Sequence, residues 1–422
     1  MAASSRRELL RLTLAPLCFA GLLPRAALAR AAVTEMRGLW VTRSWMTSPA
    51  EVAQVVQDAK RHGFTALFVQ VRGRGDAFYA GGPDPRAVLL ARQPATFDPL
   101  AELIGRADAA GVQVHAWLNV NLVAGSTAIP SDPKHVLVQH PEWLMVPRSL
   151  APDLLRMSPR DRRDVARLAS WSHRHNTTIE GVFSSPIPEA AQARTEALID
   201  HLTSRYALDG LHLDYIRYPS PEFDCSRMAL DAFRTALIPE LTPTELATLD
   251  RRAARDPLVF VTDYASRWAA FRRERLTQLV VRIRDRAKAN RPALQLTAAV
   301  WPDAADARQR KLQDWATWLR SGLLDAVCPM TYVQDGRAFE RQLQALAQQK
   351  AGAVWPGIGA FKIDPDEAAR RIDVSRTMGF AGVMLYSYDS MTGGAGRASS
   401  YMSNLQRRAF GDATASHTGA SR

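Results

Sequence analysis

Cysteine is scarce in this chain of 422 residues. There are only three, and Cys18 lies in an apolar N-terminal segment that we expect to be removed. Cys225 and Cys328 remain, and two cysteines can form one disulfide at most. The sequence therefore excludes a small fold held together by several disulfides.

Several signatures of binding and reactive chemistry are also missing. No Lys/Arg-rich block with interleaved aromatic residues is present, so we expect no nucleic-acid partner although the net charge is +12. Gly393-Gly394-Ala395-Gly396 does not match a phosphate-binding loop, and no nucleophile elbow is found. His173-Arg174-His175 falls in a predicted loop without an acidic residue at helical spacing. We therefore expect neither a metal nor a cofactor.

The N-terminus has the pattern of an export signal. Arg6 and Arg7 precede an apolar run at 12–23, and Ala27-Leu28-Ala29 forms a small-x-small cleavage site. Adjacent arginines are typical of a twin-arginine signal. The apolar run is too short to span a bilayer. We predict that residues 1–29 are cleaved and that the mature protein is periplasmic or secreted, without a stable membrane anchor.

The remainder of the chain alternates short apolar runs with helical stretches. Eight such alternations predict an α/β chain that forms a parallel (β/α)8 TIM barrel over residues 33–410. The irregular stretch 120–188 and the segment 220–258 are expected as long insertions at the carboxyl-end face. We expect a monomer with a disordered tail at 411–422. The predicted strands are 36–42, 66–72, 112–119, 209–219, 294–301, 325–332, 354–359 and 382–388.

The fourth predicted strand, Asp209–Pro219, is the one around which the others are organised. Side chains alternate along a strand, so His212, Asp214 and Ile216 should share one face. A carboxylate near the end of a barrel strand is typical of a catalytic or binding group. The alternative is a structural aspartate that pairs with Arg217.

Polar and aromatic residues recur at the carboxyl ends of the predicted strands. Aromatic rings cover the apolar faces of sugars, and amides and charged groups bond hydroxyls, so this mouth suits a carbohydrate. Taken singly, Trp117, Trp355 and His115 are more often core residues; their recurrence at one end favours a site. The binding candidates are Gln70, Arg72, Arg74, His115, Trp117, Asn119, His212, Arg217, Tyr218, Trp301, Trp355 and Tyr386.

Several segments resemble the glycosyl hydrolase-like 10 family of bacterial envelope barrels. They are 35–42, 68–76, 114–119 and 209–219, and the similarity extends over roughly residues 33–388. The resemblance implies a TIM-barrel glycoside hydrolase. Together with the export signal, it implies the glycan of peptidoglycan as the substrate.

A weaker resemblance to chitinase-type barrels bears on the mechanism. Asp209, Gly210 and Asp214 match the motif on strand four of those enzymes, and Met330 and Tyr332 match the motif on strand six. The resemblance implies that Asp214 and Tyr332 hold an acetamido group that attacks the anomeric carbon, a form of substrate-assisted catalysis. Ile216 stands where those enzymes carry their acidic Glu, so the proton donor is left open.

A mechanism with two carboxylates needs a second acid near Asp214. The seventh predicted strand has no Glu, and Asp76 and Asp389 are the better placed candidates because they follow strands on short loops. Glu222, Asp224 and Asp335 are further candidates. We therefore assign catalytic roles to Asp214, Tyr332, Asp76 and Asp389. The rival hypothesis is a non-catalytic, glycan-binding barrel.

Overall fold

The computed structural model describes residues 35–127, 129–158, 162–392 and 400–411. The predicted signal peptide at 1–29 and almost all of the predicted tail lie outside these residues. Within them, nine strand segments form one parallel sheet and two more form a small antiparallel pair. The strands are β1 Met36–Val41, β2 Ala66–Arg72, β3 Gln113–Asn119, β4 Leu122–Ala124, β5 Val182–Phe183, β6 Gly210–Asp214, β7 Gln295–Val300, β8 Ala326–Pro329, β9 Ala353–Val354, β10 Gly357–Gly359 and β11 Gly382–Tyr386.

The parallel sheet closes into a barrel through an interrupted seventh strand. β9 pairs with β8 and β10 pairs with β11, and these two segments are separated only by Trp355-Pro356. Pro356 has no N–H to donate, so the ladder breaks there. A parallel bridge between Met330 and Gly357 joins the two sides. The predicted (β/α)8 TIM barrel is confirmed.

Helices follow the barrel strands and fill the two insertions. Pro49 occupies the first turn of its helix, and the Ser48 side chain caps it by accepting the N–H of Glu51. The α-helices are α1 Pro49–Arg61, α2 Pro99–Ala110, α3 Val136–Gln139, α4 Ala151–Leu154, α5 Arg162–Arg174, α6 Glu189–Arg205, α7 Arg227–Leu237, α8 Pro243–Ala253, α9 Val259–Asp263, α10 Ala265–Asn290, α11 Ala304–Arg310, α12 Trp315–Arg320, α13 Gly336–Gln348, α14 Pro365–Thr377, α15 Tyr388–Met391 and α16 Ser400–Leu405, which continues as a π-helix over Gln406–Phe410.

The stretch predicted as irregular contains regular structure. It holds β4, β5 and the helices α3 to α5, so that prediction was wrong in detail. His173 and Arg174 belong to α5 and not to a loop. Together with α7, α8, α9 and the first turns of α10, these elements bury a second hydrophobic cluster that includes Trp143 and, from α10, Trp268. The two insertions therefore pack against each other.

Two further clusters build the barrel itself. Alternate side chains of the strands point into the barrel, where Trp40, Phe68, Trp117 and Trp355 pack together. The opposite side chains pack against the surrounding helices in a larger cluster. Burying both faces of a parallel sheet in this way requires the nearly continuous apolar strands of this sequence.

Cys225 and Cys328 are both buried and unpaired, so the single disulfide that the sequence permits is not formed. Among the described residues, no helix is both long and apolar enough to cross a bilayer.

Candidate functional site

A cleft of about 510 Å³ opens at the carboxyl ends of the barrel strands. Its walls combine indole and phenol rings with amides, three arginines and two carboxylates. The lining residues are Trp40, Thr42, Arg43, Ser44, Gln70, Arg74, Leu89, Trp117, Asn119, Glu180, Asp214, Tyr215, Arg217, Ala299, Trp301, Met330, Tyr332 and Tyr386.

Asp214 ends β6 and is only 8% exposed. Burial raises the pKa of its carboxyl to about 6, against the opposing effects of the Arg217 charge and the Tyr215 N–H, which donates to Oδ1 at 2.7 Å. Desolvation disfavours the charged form, so this carboxyl keeps its proton at higher pH than an exposed aspartate. A carboxyl of this kind can donate a proton close to neutral pH.

The residue after Asp214 departs from strand geometry. Tyr215 has φ of +51°, in the left-handed region that a bulky side chain seldom adopts. The alternation of side chains ends there, and Asp214 and Tyr215 both face the cleft. Regular alternation along the strand would place Tyr215 on the face opposite Asp214. The left-handed backbone at Tyr215 is the physical reason that both side chains face the cleft. Residues held in strained backbone conformations cluster at functional sites.

Glu180 brings a second carboxylate to the cleft. It accepts a hydrogen bond from Arg217 at 2.7 Å, while its Oε2 is buried without a hydrogen-bond partner. Its charge contributes to the raised pKa of Asp214. The backbone beside it is fixed by Gly181, where a Cβ would meet the Ala124 carbonyl oxygen at 2.0 Å. This close approach places Glu180 opposite the end of β6.

A hydrogen-bonded layer supports the tryptophans of the cleft floor. The Trp40 indole N–H donates to His212 Nε2 at 3.0 Å, and His212 Nδ1 lies 2.9 Å from the Thr297 hydroxyl. Burial holds the pKa of His212 well below its usual range, so the ring is neutral. His212 is fully buried, and it positions Trp40 from below the cleft surface.

Amides fix the neighbouring wall. Asn119 Oδ1 accepts from the Trp117 indole at 3.0 Å and from Gln70 at 3.4 Å, and its Nδ2 donates to the Gly73 carbonyl at 2.9 Å. Gln70 in turn accepts from Arg43 at 3.1 Å. These side chains line the cleft but are bonded to one another, so their first effect is to hold Trp117 in place.

Rings cover the opposite wall. Tyr332 and Tyr386 stack with centroids 5.3 Å apart, and each contacts the edge of Trp40. Burial raises the pKa of Tyr386 to about 12, so it keeps its hydroxyl proton as a donor. Trp301 is half-buried beneath Lys311, whose ammonium lies 4.9 Å from the ring centroid. A half-buried indole that lines a cleft can pack against the apolar side of a sugar ring.

Comparison with known proteins identifies the family. The glycosyl hydrolase-like 10 profile matches residues 35–165 and 163–363. The chain belongs to this family. Glycosyl hydrolase DigH of Escherichia coli (strain K12) is 24% identical over 382 residues, which cover 78% of this chain and 74% of that protein. Glycosyl hydrolase YngK of Bacillus subtilis (strain 168) is 22% identical over 392 residues, which cover 82% and 66%.

Solved structures share the fold of this family member at low sequence identity. The PgaB (BpsB) glycoside hydrolase domain from Bordetella bronchiseptica has a TM-score of 0.60 at 16% identity and covers 89% of this chain and 99% of that domain. The catalytic domain of β-amylase from Paenibacillus polymyxa has a TM-score of 0.56 at 11% identity, with coverages of 89% and 98%. Both comparisons support the barrel fold.

One predicted binding residue of this glycosyl hydrolase-like chain points away from the cleft. Arg72 is buried and pairs with Asp84 at 2.5 Å, and it also bonds the carbonyls of Asn119 and Val120. The register of β2 against β3 shifts between Gln70 and Arg72. Such an irregularity changes the direction of the next side chain. Regular alternation would place Gln70 and Arg72 on one face of the strand, but here they point in different directions.

Three further predicted binding residues lie in the core, in addition to His212 beneath the cleft surface. His115 stacks on Phe68 inside the barrel, and burial lowers its pKa to about 3. Trp355 is 6% exposed and packs edge-on against Phe68. Tyr218 is fully buried beside Arg272. None of the three lines the cleft.

The acids predicted from the sequence are placed around the cleft and not in it, apart from Asp214. Asp76 accepts the N–H of Arg74 at 2.8 Å and so shapes the loop after β2. Asp389 accepts from the hydroxyls of Thr42 and Ser44, behind the cleft wall. Of the remaining candidates, Asp224 is fully buried and bonds the Val146 and Ser226 N–H groups, Asp335 caps α13, and Glu222 is exposed.

Sequence reasoning missed Glu180, Tyr215, Arg43 and Trp40. Trp40 is the last residue but one of β1, and the alternation rule that selected Trp117 could have found it. Arg43 follows the same strand by two residues. Glu180 offered a weaker signal, a Glu-Gly pair directly before an apolar strand, because the stretch around it has no clear periodicity.

The described residues contain no group of three or more His, Cys, Asp or Glu side chains that could hold a metal ion.

Proposed function

We propose that this protein hydrolyses glycosidic bonds in an N-acetylated glycan of the bacterial envelope. The observation that carries the proposal is a buried carboxyl, Asp214, with a pKa of about 6 in a cleft lined by indole and phenol rings. Membership of the glycosyl hydrolase-like 10 family and the barrel fold support the same conclusion.

In this proposal Asp214 is the proton donor. Cleavage of a glycosidic bond needs an acid that protonates the leaving oxygen while positive charge develops at the anomeric carbon. A carboxyl with a pKa of about 6 retains a protonated fraction near neutral pH. After donation, the resulting carboxylate stabilises the positive charge at short range, where low dielectric strengthens the interaction.

Glu180 is the second carboxylate in this proposal. Arg217 holds one of its oxygens, and its Oε2 is buried without a hydrogen-bond partner. In the proposal this carboxylate turns toward the bound sugar and accepts a proton from water or approaches the anomeric carbon. The pairing of one carboxyl that keeps its proton with one carboxylate held by a guanidinium is the division of roles that two-carboxylate hydrolysis requires.

A substrate-assisted mechanism is the alternative favoured by Tyr332. This phenol lines the same cleft as Asp214, in the motif positions that resemble chitinase-type barrels. The acetamido oxygen of the substrate would then be the nucleophile, and Glu180 would be dispensable. Glu180→Gln therefore separates the two mechanisms: it abolishes turnover if Glu180 reacts, and it leaves turnover of acetylated substrate in place if the acetamido group reacts.

The peptidoglycan strand is our proposed substrate, and the periplasm or cell exterior our proposed location. Both rest on the export pattern of residues 1–29 and on the family resemblance. We also propose that the protein acts as a monomer without a membrane anchor.

Product analysis tests the proposal. Purified peptidoglycan glycan strands and chitin oligosaccharides are incubated with the wild-type protein, and the new chain ends are identified by mass spectrometry. We expect new reducing ends with the wild type and none with Asp214→Asn. An anhydro-sugar end would indicate lytic cleavage instead. Binding without any product would favour the non-catalytic glycan-binding barrel.

A further inference from the structure

Two arginines of the cleft have no carboxylate partner. Arg43 lies directly after β1 and donates to the neutral Gln70 side chain at 3.1 Å. Arg74 follows β2 and donates to the Gly73 carbonyl at 3.2 Å. No carboxylate of the described residues lies within the 4.0 Å ion-pair distance of either guanidinium. Arg217, the third arginine of the cleft, is in contrast paired with Glu180 at 2.7 Å.

The two guanidinium groups lie on the same wall of the cleft, because both approach Gly73. Arg74 Nη1 donates to the Gly73 carbonyl, and a Cβ at Gly73 would collide with Arg43 Nη1. Burial lowers the pKa of Arg43, the Asp76 charge opposes this effect, and the Arg74 charge adds to it. The charges of both arginines also interact with the hydroxyl groups of Tyr215 and Tyr386, which line the same cleft. Asp76 offsets the repulsion between the two arginines at Arg43, but each guanidinium still makes only one side-chain hydrogen bond to the described residues, so N–H donors of both remain for a bound anion.

We propose that Arg43 and Arg74 form a subsite for a carboxylate carried by a sugar of the glycan. A guanidinium presents parallel N–H donors that match the two oxygens of a carboxylate. The sugar ring that bears it would lie against the rings of the same cleft. The position of that ring rests on the proposed function.

The charge balance favours a carboxylate over a phosphate monoester. Asp76 acts on Arg43, and Asp389 accepts from Thr42 and Ser44 on either side of Arg43, so the net positive charge of this wall is at most about one unit. A carboxylate supplies one negative charge, whereas a phosphate monoester supplies nearly two. The cleft would therefore prefer carboxylated glycans to neutral chitin-like glycans, whether the carboxylate belongs to a lactyl ether or to a uronic acid.

The test compares each carboxylated oligosaccharide with its own reduced form. Two series are used, N-acetylated oligosaccharides with a 3-O-lactyl group and others with an alternating uronic acid, each before and after reduction of the carboxyl to an alcohol. Binding to full-length Asp214→Asn is measured by calorimetry, and turnover is measured with the wild type. We expect the carboxylated form of at least one series to bind about 10- to 100-fold more tightly, the range of hydrogen bonds to charged groups.

Variants assign the preference to the two arginines. Arg43→Gln and Arg74→Gln, introduced together, should bring the affinity ratio of carboxylated to reduced ligand close to one. Arg61→Gln is the matched control, because it removes the same charge from the exposed end of α1, and it should leave the ratio unchanged. The series that shows the preference identifies the source of the carboxylate.

The outcomes separate this inference from the proposed function. Hydrolysis with equal affinity for both forms in both series would overturn the carboxylate subsite and leave the hydrolase proposal standing. Preferential binding of the carboxylated form without hydrolysis by the wild type would support the carboxylate subsite and overturn the hydrolase proposal. A preference that survives the double substitution would show that other groups bind the carboxylate and would also overturn the inference.

Discussion

The pKa of Asp214, raised by burial to about 6, couples the folding stability of this protein to pH. The folded state holds this proton more tightly than the unfolded chain, whose carboxyl titrates near 3.8. The stabilising contribution is therefore complete below about pH 4 and is lost as the pH rises through about 6. The difference between the two pKa values corresponds to about 3 kcal/mol at most.

Asp214→Asn should remove this dependence. We expect the variant to gain stability relative to the wild type as the pH rises from 4 to 7, because its amide has no ionisation to disfavour folding. Urea unfolding of both proteins across this range measures the effect. Parallel stability profiles would show that Asp214 has an ordinary pKa.

Two tryptophans predicted as sugar platforms should behave differently. Trp301 is half-buried at the cleft, so Trp301→Ala should weaken glycan binding by about 1–3 kcal/mol with little loss of stability. Trp355 is buried inside the barrel, so Trp355→Ala should lower the free energy of unfolding by about 3–5 kcal/mol. Calorimetry and chemical denaturation of both variants check this. Equal binding defects in both would contradict the assignment of Trp355 to the core.

Strand alternation was sufficient to find part of the cleft. Asp214, Trp117 and Asn119 follow it because each lies at the end of a regular strand. The alternation rule failed for Arg72 because the register of β2 against β3 shifts there. It failed for Tyr215 because this residue, directly after β6, has a left-handed backbone conformation. Neither feature leaves a periodic signal in the sequence.

At the scale of elements, the loop after β2 is anchored by a buried ion pair. Arg72 and Asp84 have side chains 6% and 1% exposed. Arg72→Met leaves a buried carboxylate with Arg194 as its remaining charged partner, so it should cost about 3–5 kcal/mol of stability. Arg72→Met combined with Asp84→Leu should cost less than the sum of the single changes.

An exposed pair provides the control for this prediction. Arg106 pairs with Glu102 on the surface of α2, and Arg106→Met should cost less than about 1 kcal/mol. Denaturant unfolding gives all four values. Additive losses in the double variant would show that Arg72 and Asp84 do not depend on each other.

The helices that follow the barrel strands were predictable from the sequence because the capping residues and the apolar periodicity indicate the same helix boundaries. Ser48 with Pro49 and Asp98 with Pro99 mark the starts of α1 and α2. The elements of the first insertion were not predictable from the sequence. Helices α3 and α4 have four residues each and are stabilised by a hydrophobic cluster assembled from distant segments. The segment that positions Glu180 therefore gave no secondary-structure signal.

At the scale of the whole molecule, the barrel followed from the βα alternation, whereas our proposal for the location of the protein rests on the sequence of residues 1–29. We predict cleavage after Ala29, so that the mature protein begins at Arg30. Mass spectrometry of the protein recovered from the periplasm or the medium measures this N-terminus. Recovery of the chain with an intact Met1 from the cell envelope would contradict export with cleavage.

The central claim is that the cleft cleaves a glycan with Asp214 as the acid. Its most direct test is the kcat of Asp214→Asn on peptidoglycan glycan strands, with glycan affinity and melting temperature measured on the same samples. Asp335→Asn is the matched control, since Asp335 is exposed and asparagine also caps a helix.

The account predicts that kcat falls at least roughly 100-fold, the effect of losing one positioned electrostatic group. It also predicts that affinity is retained, that the melting temperature does not fall, and that the control keeps the wild-type kcat. A folded Asp214→Asn variant with wild-type kcat would contradict the account.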